Sequence, residues 1–105
     1  MLMKAVTVGG GGGTLTPHTW SGTSSSGYCT VPNVQGTMVI AIAVFTVGNL
    51  RTDVCINSSD TIYESYNGGA FNSETQTKIT QSGTTATVKL STSQNVSVQM
   101  VYYTI

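Results

Sequence analysis

The stretch Thr37-Met38-Val39-Ile40-Ala41-Ile42-Ala43-Val44-Phe45-Thr46-Val47 is an apolar, β-branched run inside a chain otherwise dominated by Thr, Ser, Gly and Asn. A strand sends successive side chains to opposite faces, and here both faces are apolar. Such a strand must be covered on both sides, either by its own domain or by a partner subunit. Gly36 and Gly48 bound the run, which stays well below the roughly 18 apolar residues of a membrane-spanning helix.

Around this strand the 105 residues are 39% hydrophobic and only 8% charged, four basic against four acidic, for a formal net charge of zero. That content supports one core and one domain over residues 1–105, near the size at which small domains lean on oligomerisation or cross-links. Lys4, Arg51, Lys78 and Lys89 are scattered. Nucleic-acid binding requires clustered cations, so no nucleic-acid partner is expected, and insertion into or attraction to a membrane is disfavoured too. Cys29 and Cys55 allow one intramolecular disulfide, but free buried thiols of a protein made in a reducing cytosol fit equally well. The segment from Met1 to Val8 has too short an apolar region and no small-residue cleavage pattern, so synthesis without a signal peptide is expected.

Outward from the central run, short alternating segments are broken by Gly, Asn and Ser. Strands are predicted near Leu2–Val8, Thr14–Trp20, Tyr28–Val31, Met38–Val47, Thr52–Ile56, Thr61–Tyr66, Thr75–Thr80, Thr85–Leu90 and Val96–Ile105. Gly9–Gly13 reads as a flexible connector, Pro17 as a sign of an edge or a strand start, and Ser21–Gly27 and Asn67–Ser73 as loops. Thr75–Thr80 reads as edge-like, with Lys78 and Lys89 guarding exposed strands. On the strand after Gly48, Thr52, Val54 and Ile56 share one face while Asp53 and Cys55 share the other. Helical periodicity is absent. The expected fold is all-β, a single antiparallel, jelly-roll-like β-sandwich of about eight or nine short strands.

The glycine run is followed by neither Gly-Lys-Ser/Thr nor a helix, so it is no phosphate loop. His18 is the only histidine and reads as a surface or turn residue, without the spacing of a metal site or a catalytic triad. Asp60 and Glu64, four apart in a strand, would stand about 13 Å apart along the backbone, beyond the reach of a glycosidase pair. A small hydrolase would need carboxylates among Asp53, Asp60, Glu64 and Glu74 to converge in a cleft. No catalytic residue, metal or cofactor is therefore assigned. One grouping has binding chemistry: Trp20, Tyr63, Tyr66 and Phe71, with Asn67 and Asn72 near them, could stack on sugars and orient them through amides. As packing residues the same aromatics would fill the ends of a small sandwich, and that reading carries more weight.

The Gly9–Gly13 run, the Ser/Thr/Asn-rich short strands, the very low charge and the closing segment Val96–Ile105 resemble bacteriophage virion proteins. The nearest style is the small β-sandwich tip of tail fibres and receptor-binding proteins. The resemblance is one of composition and transfers no site residues. It implies a homo-oligomer, a trimer favoured, made in the host cytoplasm and exposed on the virion surface. There it would adjoin other virion proteins and touch a host-surface glycan or protein through its distal loops. Capsid decoration is the nearest competing role, and a small carbohydrate-binding module is another.

Overall fold

The alternation read from the sequence is carried by ten strands in a computed structural model, which describes residues 6–7, 14–57, 61–75 and 79–105. They are β1 (Val6–Thr7), β2 (Thr14–Thr23), β3 (Tyr28–Val31), β4 (Met38–Val47), β5 (Asn49–Ile56), β6 (Thr61–Tyr66), β7 (Asn72–Thr75), β8 (Ile79–Ser82), β9 (Thr85–Lys89) and β10 (Ser97–Thr104). Every pairing is antiparallel. The larger sheet runs β1-β2-β10-β4-β5-β6-β7 and the smaller β3-β9-β8. The expected all-β, antiparallel sandwich is what forms. The Gly9–Gly13 connector, Lys4, Asp60 and Lys78 lie outside the described residues.

Two stretches expected as loops are strands in part. Ser21, Gly22 and Thr23 extend β2 because Gln99, Val98 and Ser97 of β10 pair with them, a partner no local signal announces. Asn72 and Ser73 open β7, which supplies the extra strand by pairing with Glu64 and Tyr63 of β6. Pro17 of β2 pairs with Tyr103 of β10, and the described part of β1 pairs with Thr14 and Leu15. Lys89, expected to guard an exposed strand, instead stands in β9 between β3 and β8. His18 is likewise no turn residue. It lies half-buried in β2, its ring stacked on Tyr102 at 4.9 Å, with Nε2 2.8 Å from Thr104 Oγ1.

The core lies between the two sheets. Ala41, Ala43 and Phe45 of β4, Cys55 of β5, and Val98, Met100 and Tyr102 of β10 face Cys29 and Val31 of β3, Ile79 of β8, and Ala86 and Val88 of β9. Val34, Met38 and Leu90 close the ends of this layer. Each aliphatic side chain removed from water here contributes about 1.5–3 kcal/mol. A bulge at Val39 lets Met38 point inward although the strand's other inward residues are odd-numbered: Tyr103 pairs with Ile40, and Thr104 with Met38. Gln81 fastens the smaller sheet to that corner, accepting from Met38 N at 2.8 Å and donating to Gly36 O at 2.7 Å.

The outward flank of β4 departs from the expectation. Ile40 and Ile42 are half-buried and Val44 is 36% exposed. The two sheets account for all the described strands, so no layer among the described residues lies over that flank. Of the cover on both sides that the apolar run demands, the described layers supply one side. At one end of the same face Leu15 and Tyr103 are buried.

Candidate functional site

The aromatic and amide residues singled out from the sequence fall into three places. Trp20 is on β2 and packs against the core, half-buried, with its ring lying over Gly22. An added Cβ at Gly22 would collide with that ring, so glycine is what admits it. Tyr63 pairs with Val54 and belongs to the outward face of the larger sheet, 39% exposed. Tyr66, Asn67, Phe71 and Asn72 gather at the turn joining β6 to β7. Trp20 and Tyr66 are four strands apart, about 19 Å at the usual interstrand spacing, and do not form one site.

The β6–β7 turn is held firmly. Tyr66-Asn67-Gly68-Gly69 is a tight turn closed by Gly69 N donating to Tyr66 O at 2.9 Å, with Asn67 and Gly68 at φ 52° and 76°. Asn-Gly is the pair that tolerates two successive left-handed residues. Ser65 Oγ donates to Gly69 O at 2.7 Å and ties the turn to its own strand. Asn67 spends its groups on β5: its N donates to Leu50 O at 2.7 Å, and its Oδ1 accepts from Leu50 N at 3.1 Å. These bonds hold the turn against β5. Phe71 is 53% exposed and Leu50, on the adjoining strand, 48%. Tyr66 lies partly open with the Arg51 guanidinium 4.8 Å above its ring, a cation–π contact that fixes the ring plane.

Arg51 links this end to the interior. Its Nη1 donates to Ser91 O at 3.1 Å, while Nε is buried without a hydrogen-bond partner. Asp53, fully buried two residues on, accepts from Ser91 N at 2.7 Å and from Ser91 Oγ at 2.8 Å. A buried carboxylate so engaged holds the β9–β10 crossover against the larger sheet. Lys89 braces the same crossover, its Nζ donating to Leu90 O and Thr92 O, each at 2.8 Å, and lying 5.5 Å from the Tyr28 ring. Loss of hydration pulls its pKa below the usual lysine value. Cys29 and Cys55 are free and buried. Burial, followed by the nearby Asp53 charge, pushes their thiols up to about 11 and about 12.

Among the described residues no three His, Cys, Asp or Glu side chains come together as metal ligands. Sequence reasoning missed Leu50 and Arg51 as neighbours of the turn. Their place follows from the β5–β6 register, in which Arg51 pairs with Tyr66. Ser91 carried no signal, because its partners are 38 and 40 residues away. Comparisons with protein families, curated proteins and solved structures find nothing that matches this chain.

Proposed function

We propose that this chain is a non-enzymatic virion surface protein of a bacteriophage, a tail-fibre or receptor-binding tip that attaches to a host-surface glycan or protein. In this reading it works as a homo-oligomer, three copies favoured, seated among other virion proteins. The observation that carries the proposal is the pairing of exposed Tyr66 and Phe71 on a turn braced by Asn67, Ser65 and Arg51 at one end of a sandwich. Apolar sugar faces stack on such rings, and Asn72, exposed beside them, supplies an amide for hydrogen bonding. Pre-set turns lose little freedom on binding, which favours recognition at this end. The near absence of charge makes stacking and hydrogen bonds the currency of contact.

Capsid decoration is the second reading, favoured by the apolar outward face of the larger sheet, which suits assembly without any attachment role. Glycan arrays and host-cell binding separate the two. Tyr66→Ala combined with Phe71→Ala is expected to weaken binding about tenfold or more, each stacked ring contributing roughly 0.5–1.5 kcal/mol, with an unchanged β-rich circular dichroism spectrum. Binding that survives the double change removes the attachment reading. Glycan binding by a protein that stays a single chain points to a carbohydrate-binding module.

A further inference from the structure

We infer that the outward face of the larger sheet is the surface through which copies of this chain join one another. The inference rests on the oligomeric part of the reading above and is independent of what the β6–β7 end binds. Ile40, Ile42 and Val44 of β4, Val54 and Ile56 of β5 and Val101 of β10 share this face by register. On the same strand Met38, Ala41, Ala43 and Phe45 turn toward the core, so Ile40, Ile42 and Val44 stand on the side that no described layer covers. No outward position of β2, β10, β4 or β5 holds an Asp, Glu, Lys or Arg.

The relief of the face fits a second copy. Isoleucines and valines of β4 and β5 make a ridge. Beside it Thr19, Ser21, Gln99 and Val101, with Ile42 and Val44 as one wall, bound a shallow hollow of about 200 Å³. A second hollow of about 240 Å³ adjoins it at Pro17, Thr19 and Val101. Ridge and hollow lie side by side on one surface, so the ridge of one copy can enter the hollow of another while its own hollow receives a neighbour's ridge. Symmetric assemblies close in this way. With β6, whose Tyr63 lies beside Val54, the face spans five strands about 4.8 Å apart, each contributing about 20 Å, which gives roughly 500 Å² per copy. Two copies then bury roughly 1,000 Å², the lower bound of a specific interface. A face without charge offers nothing to a charged partner, whereas another neutral face matches it without stranding an ion.

The test is the solution mass of the full chain by light scattering at micromolar concentration, with charges placed on each part of the relief. The wild type is expected as a closed assembly of two or three copies. Ile42→Glu on the ridge and Val101→Arg in the hollow should each reduce it to a single chain with an unchanged β-rich spectrum. Mixing the two variants should restore association, because the introduced carboxylate then meets the introduced guanidinium; this also shows that both variants fold. Thr30→Glu, on the exposed side of β3, should leave the mass unaltered. A single-chain mass for the wild type overturns the inference, as does an assembly that survives Ile42→Glu. Loss of assembly with retained glycan binding would leave the attachment reading standing, and the reverse outcome would remove attachment alone.

Discussion

On one face of the larger sheet, Ala41, Ala43, Phe45, Cys55 and Met100 lie under the smaller sheet and are almost sealed from water; on the other, Ile40, Ile42, Val44, Val54 and Ile56 have no layer of described residues above them. In the middle of the central strand the covered side holds Ala41 and Ala43, where β3 and β9 bring Val31, Val88 and the adjoining Leu90 into the core, while Met38 and Phe45 fill that side further along the strand. Close packing leaves no room for larger groups there. The difference teaches that side-chain hydropathy records the need for cover, while which flank receives cover from the chain itself is decided by where distant strands land.

The contrast is broken most sharply in the core. Phe45→Ala should cost about 3–5 kcal/mol in urea unfolding, the range for emptying a buried aromatic site, whereas Ile42→Ala in the dissociated chain should cost about 1 kcal/mol or less, as for partly exposed strand positions. Equal costs would mean that the outward flank is as well covered as the inward one. Next comes Asp53→Ala, which leaves Ser91 N and Oγ without their acceptor beside Arg51. Hydrogen bonds to a charged group contribute about 1.5–3 kcal/mol each, so a loss of about 3 kcal/mol is expected, again by urea unfolding. An unchanged midpoint would show that the crossover is held by apolar packing alone.

A smaller effect sharpens the comparison from the opposite direction. Ala43→Leu overfills the covered side and should cost about 1–3 kcal/mol, while Val44→Leu, one residue along and facing outward, should be nearly neutral for the unassembled chain by thermal unfolding. The smallest effect at neutral pH is confined to the covered face. The folded thiols of Cys29 and Cys55 ionise near 11 and 12 rather than at the ordinary 9.0. The stability that comes from keeping them neutral is complete below about pH 9, where the unfolded thiols are neutral too, and is lost as pH rises from there through the folded values. Stability should therefore fall in that alkaline window. Cys29→Ala combined with Cys55→Ala should flatten the decline, and a decline of the same slope would assign it to other groups.

The central strand, the Asp53 and Cys55 face of β5, the β8–β9 hairpin and the alternation of β10 were all legible because a strand's period is local and survives without knowledge of its partner. Ser21–Thr23 and Asn72–Ser73 have the composition of loops, and only the partners Ser97–Gln99 and Tyr63–Glu64 make strands of them. The candidate site was half legible. Tyr66, Asn67, Phe71 and Asn72 are close in sequence and remain close in space, whereas Trp20 and Tyr63 were joined to them by residue type alone and lie on other surfaces.

By itself, then, the sequence determined that neutral, hydroxyl-rich ribbons with one strongly apolar member would stack as antiparallel sheets, since period-two patterning and turn chemistry act over a few residues. The tertiary structure alone decided that the smaller sheet would settle on the Ala41 and Ala43 side of β4, with no described layer on the isoleucine side. It alone also brought Ser91 to a buried Asp53. Those outcomes depend on contacts between segments tens of residues apart, where packing volume and hydrogen-bond satisfaction select among arrangements that local pattern leaves equivalent.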